Sequence, residues 1–377
     1  MIEVADVFRR FGDDYLKVHG ASMLPSHRRA ITDLMACRTE ALGGHLWRCE
    51  ECSAEVHSYH SCKNRSCPKC HADQTAAWLD ARRAEMLPTH HFHVTVTVPE
   101  ELRRVLRSNQ CAGYGLLMTA TTQAILELAR DPRYVGGTVG VLAVLHTWTR
   151  HLEFHPHVHS LVTGGGVSQD GCHWHPAKPD FLFPVKALAK LVRGKLRAGL
   201  TKVGLVEAVP AAAWTKPWVV HCTPWGNGEQ AVLDYLARYV FRTALTNSRI
   251  TGLDDQGVTF QVKPGDGDAG KSRSCHLTGP EFMRRFLQHV LPTGFHKVRY
   301  CGLWHSSKRP VAARARTMLR LERPPQPVSA TEQTDEVPKP AASAADRPPR
   351  LCPKCGKAPL LLVRRLSPMT KRCPLGP

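Results

Sequence analysis

The sequence predicts an α+β fold, with a small metal-stapled module ahead of a domain built on a central antiparallel sheet flanked by helices. Three observations predict it. Six of the 14 cysteines crowd between Cys37 and Cys70. Short β-branched runs that read as strands occupy residues 91–99, 139–148 and 157–163, the last two close enough to pair as a hairpin. Longer stretches with helical character separate and follow them.

In chain order, residues 1–88 hold a helical lead, the cysteine cluster and a predicted helix over 72–86. The run His91-Phe92-His93-Val94-Thr95-Val96-Thr97-Val98-Pro99 alternates and ends on proline, which cannot donate to a sheet ladder. Residues 102–129 read as helix. The strands at 139–148 and 157–163 are joined by a short polar connection and followed by Gly164-Gly165-Gly166. Helices are expected over 185–200 and 230–245, with a strand around Trp218-Val219-Val220-His221 between them. The sheet domain therefore spans 89–250. A basic part, 251–322, follows. From Phe282 to Leu321 there is no Asp or Glu, while Arg284, Arg285, Lys297, Arg299, Lys308, Arg309, Arg314, Arg316 and Arg320 accumulate, a pattern suited to phosphate contact. Residues 323–350, rich in Pro, Ala, Ser and Thr, read as a disordered linker, and 351–377 form a cysteine-containing tail.

Lys and Arg total 51 against 32 Asp and Glu, a formal charge of +19 over 377 residues, so a polyanionic partner is expected. Nucleic acid fits better than membrane: no apolar run approaches the roughly 20 residues a spanning helix needs, and the first residues lack a basic-then-apolar signal pattern. A soluble cytoplasmic protein is the expectation, and in that compartment clustered cysteines bind metal more readily than they form disulfides.

Cys49-Glu50-Glu51-Cys52 and Cys67-Pro68-Lys69-Cys70 are separated by 14 residues, the spacing of a four-thiolate zinc ribbon. Four thiolates leave no open position, so this zinc is structural. Cys37, His45 and Cys62 form the candidate set for a second zinc of mixed Cys/His type, with His27, His57 and His60 close by. Lys63, Arg65 and Lys69 could face DNA.

Chemistry centres on His155-Pro156-His157-Val158-His159. Side chains alternate faces along a strand, so His157 and His159 project from one side and Val158 from the other. A hairpin closing between Trp148 and His157 brings His146 beside them as third ligand; His151 and His155, in the connection, are weaker candidates. Three neutral nitrogens would hold a divalent ion able to polarise a phosphate oxygen. Tyr235 and Tyr239 lie four apart on a helix, with both phenols on one face. Either could attack phosphorus and conserve the bond energy in a phosphotyrosine ester.

The chain resembles the HUH endonucleases, and more closely the two-tyrosine rolling-circle transposases of the insertion-sequence 91 family. The motifs that carry this are Cys37-Arg38-Thr39, Leu42-Gly43-Gly44-His45, Ser61-Cys62-Lys63-Asn64-Arg65, Cys67-Pro68-Lys69-Cys70, the histidine stretch, Tyr235-Leu236-Ala237-Arg238-Tyr239, Arg284-Arg285-Phe286-Leu287 and Gly294-Phe295-His296-Lys297-Val298-Arg299-Tyr300. The resemblance implies a nuclease domain with a five-stranded antiparallel sheet, a catalytic Mg²⁺ or Mn²⁺ on His157 and His159, and a third histidine from the adjoining strand, which favours His146. It further implies Tyr235 and Tyr239 as nucleophiles acting on single-stranded DNA at transposon ends and target, and a zinc domain that helps recognise those ends. There are two departures. Ser66 stands where a histidine is expected before Cys67, and the tail follows Cys352-Pro353-Lys354-Cys355 with only Cys373, an incomplete ribbon. A replication initiator or relaxase, or a zinc-dependent DNA binder without catalysis, are the competing readings.

Overall fold

The computed structural model describes residues 2–70, 86–240, 243–262, 273–321 and 351–369. Most of the helix expected over 72–86, the linker at 323–350 and Cys373 lie outside the described residues. The N-terminal part comprises α1 (Val4–His19), α2 (Pro25–Met35) and the hairpin of β1 (Gly44–Cys49) and β2 (Glu55–Tyr59). Then come β3 (His90–Thr97), α3 (Glu100–Ser108), α4 (Gln110–Arg130), β4 (Gly140–Trp148), β5 (Phe154–Thr163), the short pair β6 (Gly165–Val167) and β7 (Trp174–Pro176), α5 (Val185–Lys202), α6 (Ala212–Thr215), β8 (Val219–Asn227) and α7 (Gly228–Tyr235). The chain continues through β9 (Ile250–Leu253), β10 (Gly257–Val262), β11 (Arg273–Thr278), α8 (Gly279–Leu287), β12 (Val298–Gly302), α9 (Arg309–Leu321) and β13 (Leu360–Leu366). The helix expected over 102–129 is broken at Asn109, which leaves helical geometry at φ −127° and ψ 54°.

Five strands form the central sheet in the order β12-β4-β5-β3-β8, every neighbour antiparallel. Strand periodicity divides its residues between two faces. Phe92, Val94 and Val96, Val141, Ala143 and Leu145, with Val158 and Val162, bury one face against α3, α4 and α5. The helix partners are Leu102 and Leu106, Leu117 and Ile125, and Leu188, Val192 and Leu196, at helical spacing. The opposite face carries Leu142, Val144 and Leu161 together with the histidines, and is covered by Val232, Tyr235, Leu236 and Val240. β4 sits second in the sheet, between β12 and β5, and eight of its nine residues are buried, which is why it reads as a continuous apolar run and not as an alternation.

A smaller antiparallel sheet, β11-β10-β9, packs with α8. Its core is shared with the N-terminal helices: Val4, Val7, Phe8, Ile31 and Leu34 meet Phe260, Phe282 and Phe286, with Phe8 edge-on to Phe286 at 5.1 Å between ring centroids. A third sheet, β13-β1-β2, joins the tail to the N-terminal hairpin. β13 pairs antiparallel with β1 from Gly44 opposite Leu366 to Cys49 opposite Leu360. Among the described residues no helix is long and apolar enough to cross a membrane.

Candidate active site and metal centres

Eight of the described cysteines form two groups of four, and the grouping differs from the one expected from spacing. Cys37, Cys62, Cys67 and Cys70, all buried, make the first, and Cys49, Cys52, Cys352 and Cys355 the second. The two C-x-x-C pairs of the N-terminal part thus belong to different sites. In the first, Cys37 Sγ lies 3.4 Å from Cys70 Sγ and 3.7 Å from Cys67 Sγ, and Cys62 Sγ lies 3.6 Å from Cys70 Sγ. In the second, Cys49 to Cys355 and Cys52 to Cys352 are both 3.7 Å. Sulfurs bound tetrahedrally to one zinc at about 2.3 Å stand about 3.8 Å apart, so both sets fit zinc and neither fits a disulfide.

His45 is no ligand. Its ring lies 5.0 Å from that of His60 and 5.7 Å from that of Trp47, outside the four-thiol group. Ser66 leaves no gap either, because Cys37 supplies the fourth sulfur. The tail is not an incomplete ribbon of its own. β13 lies beside β1, and Cys352 and Cys355 complete the site that Cys49 and Cys52 begin.

On the face of the central sheet opposite α4 and α5, His146 on β4 stands directly across from His157 on β5, and His159, two residues on, lies between Val144 and Thr95. One ring nitrogen from each of the three histidines falls within 4.8 Å of the others. Two hydrogen bonds orient the rings. His157 Nδ1 donates to the carbonyl of His155 at 2.6 Å, and His146 Nε2 donates to the carbonyl of Tyr239 at 2.7 Å. Those protons place the lone pairs on His157 Nε2 and His146 Nδ1, the arrangement a metal ligand requires. The chemistry of this donor set suits a divalent ion with open positions.

β3 adds residues that the sequence reading missed. His93 Nε2 lies 3.0 Å from His159 Nδ1, and Thr95 Oγ1 lies 3.1 Å from the same nitrogen. The signal was present in the alternation of His91, His93, Thr95 and Thr97, which places all four on one face, but only the register opposite β5 brings two of them to His159. His155, a weaker candidate for the third ligand, is taken by Arg103, whose Nη2 lies 2.9 Å from its Nδ1. Burial first, and Arg103 second, hold its pKa below the usual range.

Both tyrosines reach this face. α7 ends at Tyr235, and Leu236–Val240 form a wider π turn, a feature frequent at functional sites. The half-buried Tyr239 ring lies 4.2 Å from the ring of His159, 4.7 Å from that of His93 and 6.0 Å from that of His146, between centroids. Tyr235 is fully buried, 5.0 Å from Tyr239 between ring centroids, and its hydroxyl donates to the carbonyl of Leu142 at 3.4 Å. Burial raises its pKa well above that of an ordinary phenol.

The cations expected to meet phosphate also make contacts within the fold. Arg299 donates to the Gly115 carbonyl at 3.2 Å and to Thr119 Oγ1 at 2.9 Å, tying β12 to α4. Lys297 is half-buried, and burial together with nearby Arg65 lowers its pKa to about 8. Arg284 and Arg285 share the carboxylate of Glu281, each at 2.7 Å. Lys297 and Arg299 are both half-buried, and the other two share one carboxylate, which leaves a net positive charge on the pair.

A zinc-bearing α+β chain with three histidines and a phenol on one sheet face has the parts of a transposase of the HUH type. Comparison with known proteins agrees: residues 140–310 match the family described as "Putative transposase" and residues 7–98 match the "Transposase zinc-binding domain". The chain belongs to the insertion-sequence 91 family of two-tyrosine transposases. It is 37% identical over 381 residues to "Putative transposase y4qJ" of Sinorhizobium fredii (strain NBRC 101917 / NGR234), covering 96% of this chain and 94% of that protein. It is 24% identical over 287 residues to "Transposase for insertion sequence element IS801" of Pseudomonas savastanoi pv. phaseolicola, covering 72% of this chain and 68% of that protein. No solved structure matches it.

Proposed function

We propose that this transposase nicks and rejoins single-stranded DNA at the ends of an insertion sequence and at its target, through a 5′-phosphotyrosine intermediate, in rolling-circle transposition. The observation that supports this most is the Tyr239 ring, 4.2 Å from one of three convergent imidazoles. Mg²⁺ or Mn²⁺ held by His146, His157 and His159 would polarise a phosphate oxygen and stabilise the charge that develops there. Tyr239 makes the first attack. A bond forms between its phenolic oxygen and phosphorus, the bond from phosphorus to the 3′ oxygen breaks, the phenol loses its proton, and the departing 3′ oxygen gains one. The reverse attack by a 3′ hydroxyl reseals a strand without an external energy source.

Tyr235, buried and high in pKa, takes the second strand once its hydroxyl leaves the Leu142 carbonyl. His93 and Thr95 are positioning residues that hold His159. DNA of this kind is met in the bacterial cytoplasm. The test is a zinc-loaded preparation incubated with Mn²⁺ and single-stranded oligonucleotides carrying the element's end. A covalent adduct at Tyr239, identified by mass spectrometry, is expected with wild type and with Tyr235→Phe. Attachment that persists in the double variant Tyr235→Phe/Tyr239→Phe overturns the assignment.

A further inference from the structure

We infer that Arg103 and His155 form a second phosphate subsite on the flank of the metal centre, which grips a phosphodiester next to the one that is cut; this rests on the nuclease reading above. His155 lies on β5 two residues before His157, so its side chain shares the histidine face. The two rings are 5.5 Å apart between centroids, and those of His157 and His159 are 4.7 Å apart. His155 thus stands one ring outside the three-histidine group, a step close to that between successive phosphates of an extended strand.

Arg103 reaches His155 from α3. That helix begins at Glu100, just beyond Thr97 of β3, which stands opposite His157. Arg103 Nη2 lies 2.9 Å from His155 Nδ1. A guanidinium can only donate, so Nδ1 accepts and the proton of the neutral ring sits on Nε2. Among the described residues the His155 ring makes no other hydrogen bond, which leaves Nε2 as a donor. The same residue braces the metal centre, because its carbonyl receives His157 Nδ1 at 2.6 Å.

The chemistry of the pair selects an anion. A half-buried guanidinium is ordinarily matched by a carboxylate, yet the hydrogen-bond partner of Arg103 is an uncharged ring. Glu101, two residues before it, is held by Lys216 at 2.5 Å. Among the described residues nothing accepts from Arg103 Nε, although that atom is buried, and a buried donor without an acceptor is unfavourable. A tether between α3 and β5 needs only Nη2. A phosphate accepts from the planar fork of an arginine through two oxygens, and the Nε2 proton of His155 offers it a further donor. Such contacts touch the backbone and no base, so the subsite fixes the register of the strand without reading its sequence.

The experiment uses the full-length, zinc-loaded protein without Mg²⁺ or Mn²⁺, so that nothing is cut. Its probes are single-stranded oligonucleotides of the element's end, each carrying one uncharged methylphosphonate, moved along the strand position by position. Wild type should lose about tenfold in affinity, the scale of one charge-assisted hydrogen bond, when the substituted phosphate neighbours the one found in the covalent adduct with Mn²⁺. Arg103→Gln should bind the natural oligonucleotide about tenfold more weakly and show no further loss at that position, with zinc content and melting temperature unchanged. A wild-type scan without a sensitive neighbouring phosphate overturns the inference. So does an Arg103→Gln protein that still loses the same factor there, which makes Arg103 a structural tether. If that variant melts lower, His155→Phe, which keeps a ring and removes its donor, is read in the same scan; diminished sensitivity at that phosphate upholds the inference and undiminished sensitivity overturns it. A covalent adduct with Mn²⁺ alongside an insensitive scan keeps the nuclease reading alone. A phosphate whose contribution depends on Arg103, without any adduct, leaves the subsite standing and removes the nuclease.

Discussion

The second four-cysteine group predicts how the tail is held. β13 has seven residues, and its side chains are largely in water: Leu361, Leu362 and Val363 are 48%, 44% and 47% exposed. Ordering seven residues costs about 7–14 kcal/mol in backbone entropy. The six register pairs with β1 return about 6 kcal/mol at roughly 1 kcal/mol per hydrogen bond, and the exposed apolar groups add little. The deficit of several kcal/mol lies within the roughly 10–16 kcal/mol that a structural zinc contributes. Chain connectivity cannot help, because about 300 residues separate Cys52 from Cys352 and closing so long a loop is itself unfavourable. Replacing Cys352 and Cys355 by serine should therefore lower bound zinc from two ions per chain to one. It should also open residues 351–369 to proteolysis and hydrogen exchange, while the central sheet stays protected. Two zinc ions in the variant, or a tail still protected with one, would refute the reasoning.

Other outcomes are expected from the same geometry. His93→Ala should raise the Mn²⁺ concentration needed for nicking by roughly 10- to 100-fold, the usual cost of losing a partner that orients a metal ligand, with zinc content unchanged; an unshifted Mn²⁺ titration counts against His93 as a positioning residue. Tyr235→Phe should alter folding stability by no more than about 1 kcal/mol, since it removes one long hydrogen bond, while second-strand transfer is lost; transfer at wild-type rate argues against a role for Tyr235. His91 and His289 are buried, and burial lowers their pKa values to about 3 and about 4. The unfolded chain, with histidines near 6.5, binds more protons below that pH, so stability is full above about 6.5 and is lost as pH falls towards 4. Each residue should cost about 2 kcal/mol between pH 7 and pH 5. Urea unfolding of His91→Phe compared with wild type should show that difference, and parallel pH profiles would exclude it.

Periodicity carried much of the fold in advance. Strands at 91–99, 139–148 and 157–163 correspond to β3, β4 and β5, because alternation and apolar runs record which faces are buried. The placing of His157 and His159 on one side, and of His146 across the hairpin, is likewise a matter of strand geometry and a short connection. The π turn at Leu236–Val240 was not foreseen; it lies within the stretch 230–245 that was expected to be a regular helix.

What the amino-acid order determines by itself is local: which segments become strands and helices, that the cysteines hold metal, and that paired histidines and paired tyrosines each share a face. Partnership between distant segments was decided only in three dimensions. The pairing of β1 with β13 assigns Cys352 and Cys355 to Cys49 and Cys52, and the register of β3 beside β5 sets His93 and Thr95 against His159. Packing ties Arg299 to Gly115 and Thr119. The physical reason is one of range: strand and helix periods act over a few residues, whereas sheet order, burial of charge and closure of a metal shell depend on surfaces that meet only when the whole chain has folded.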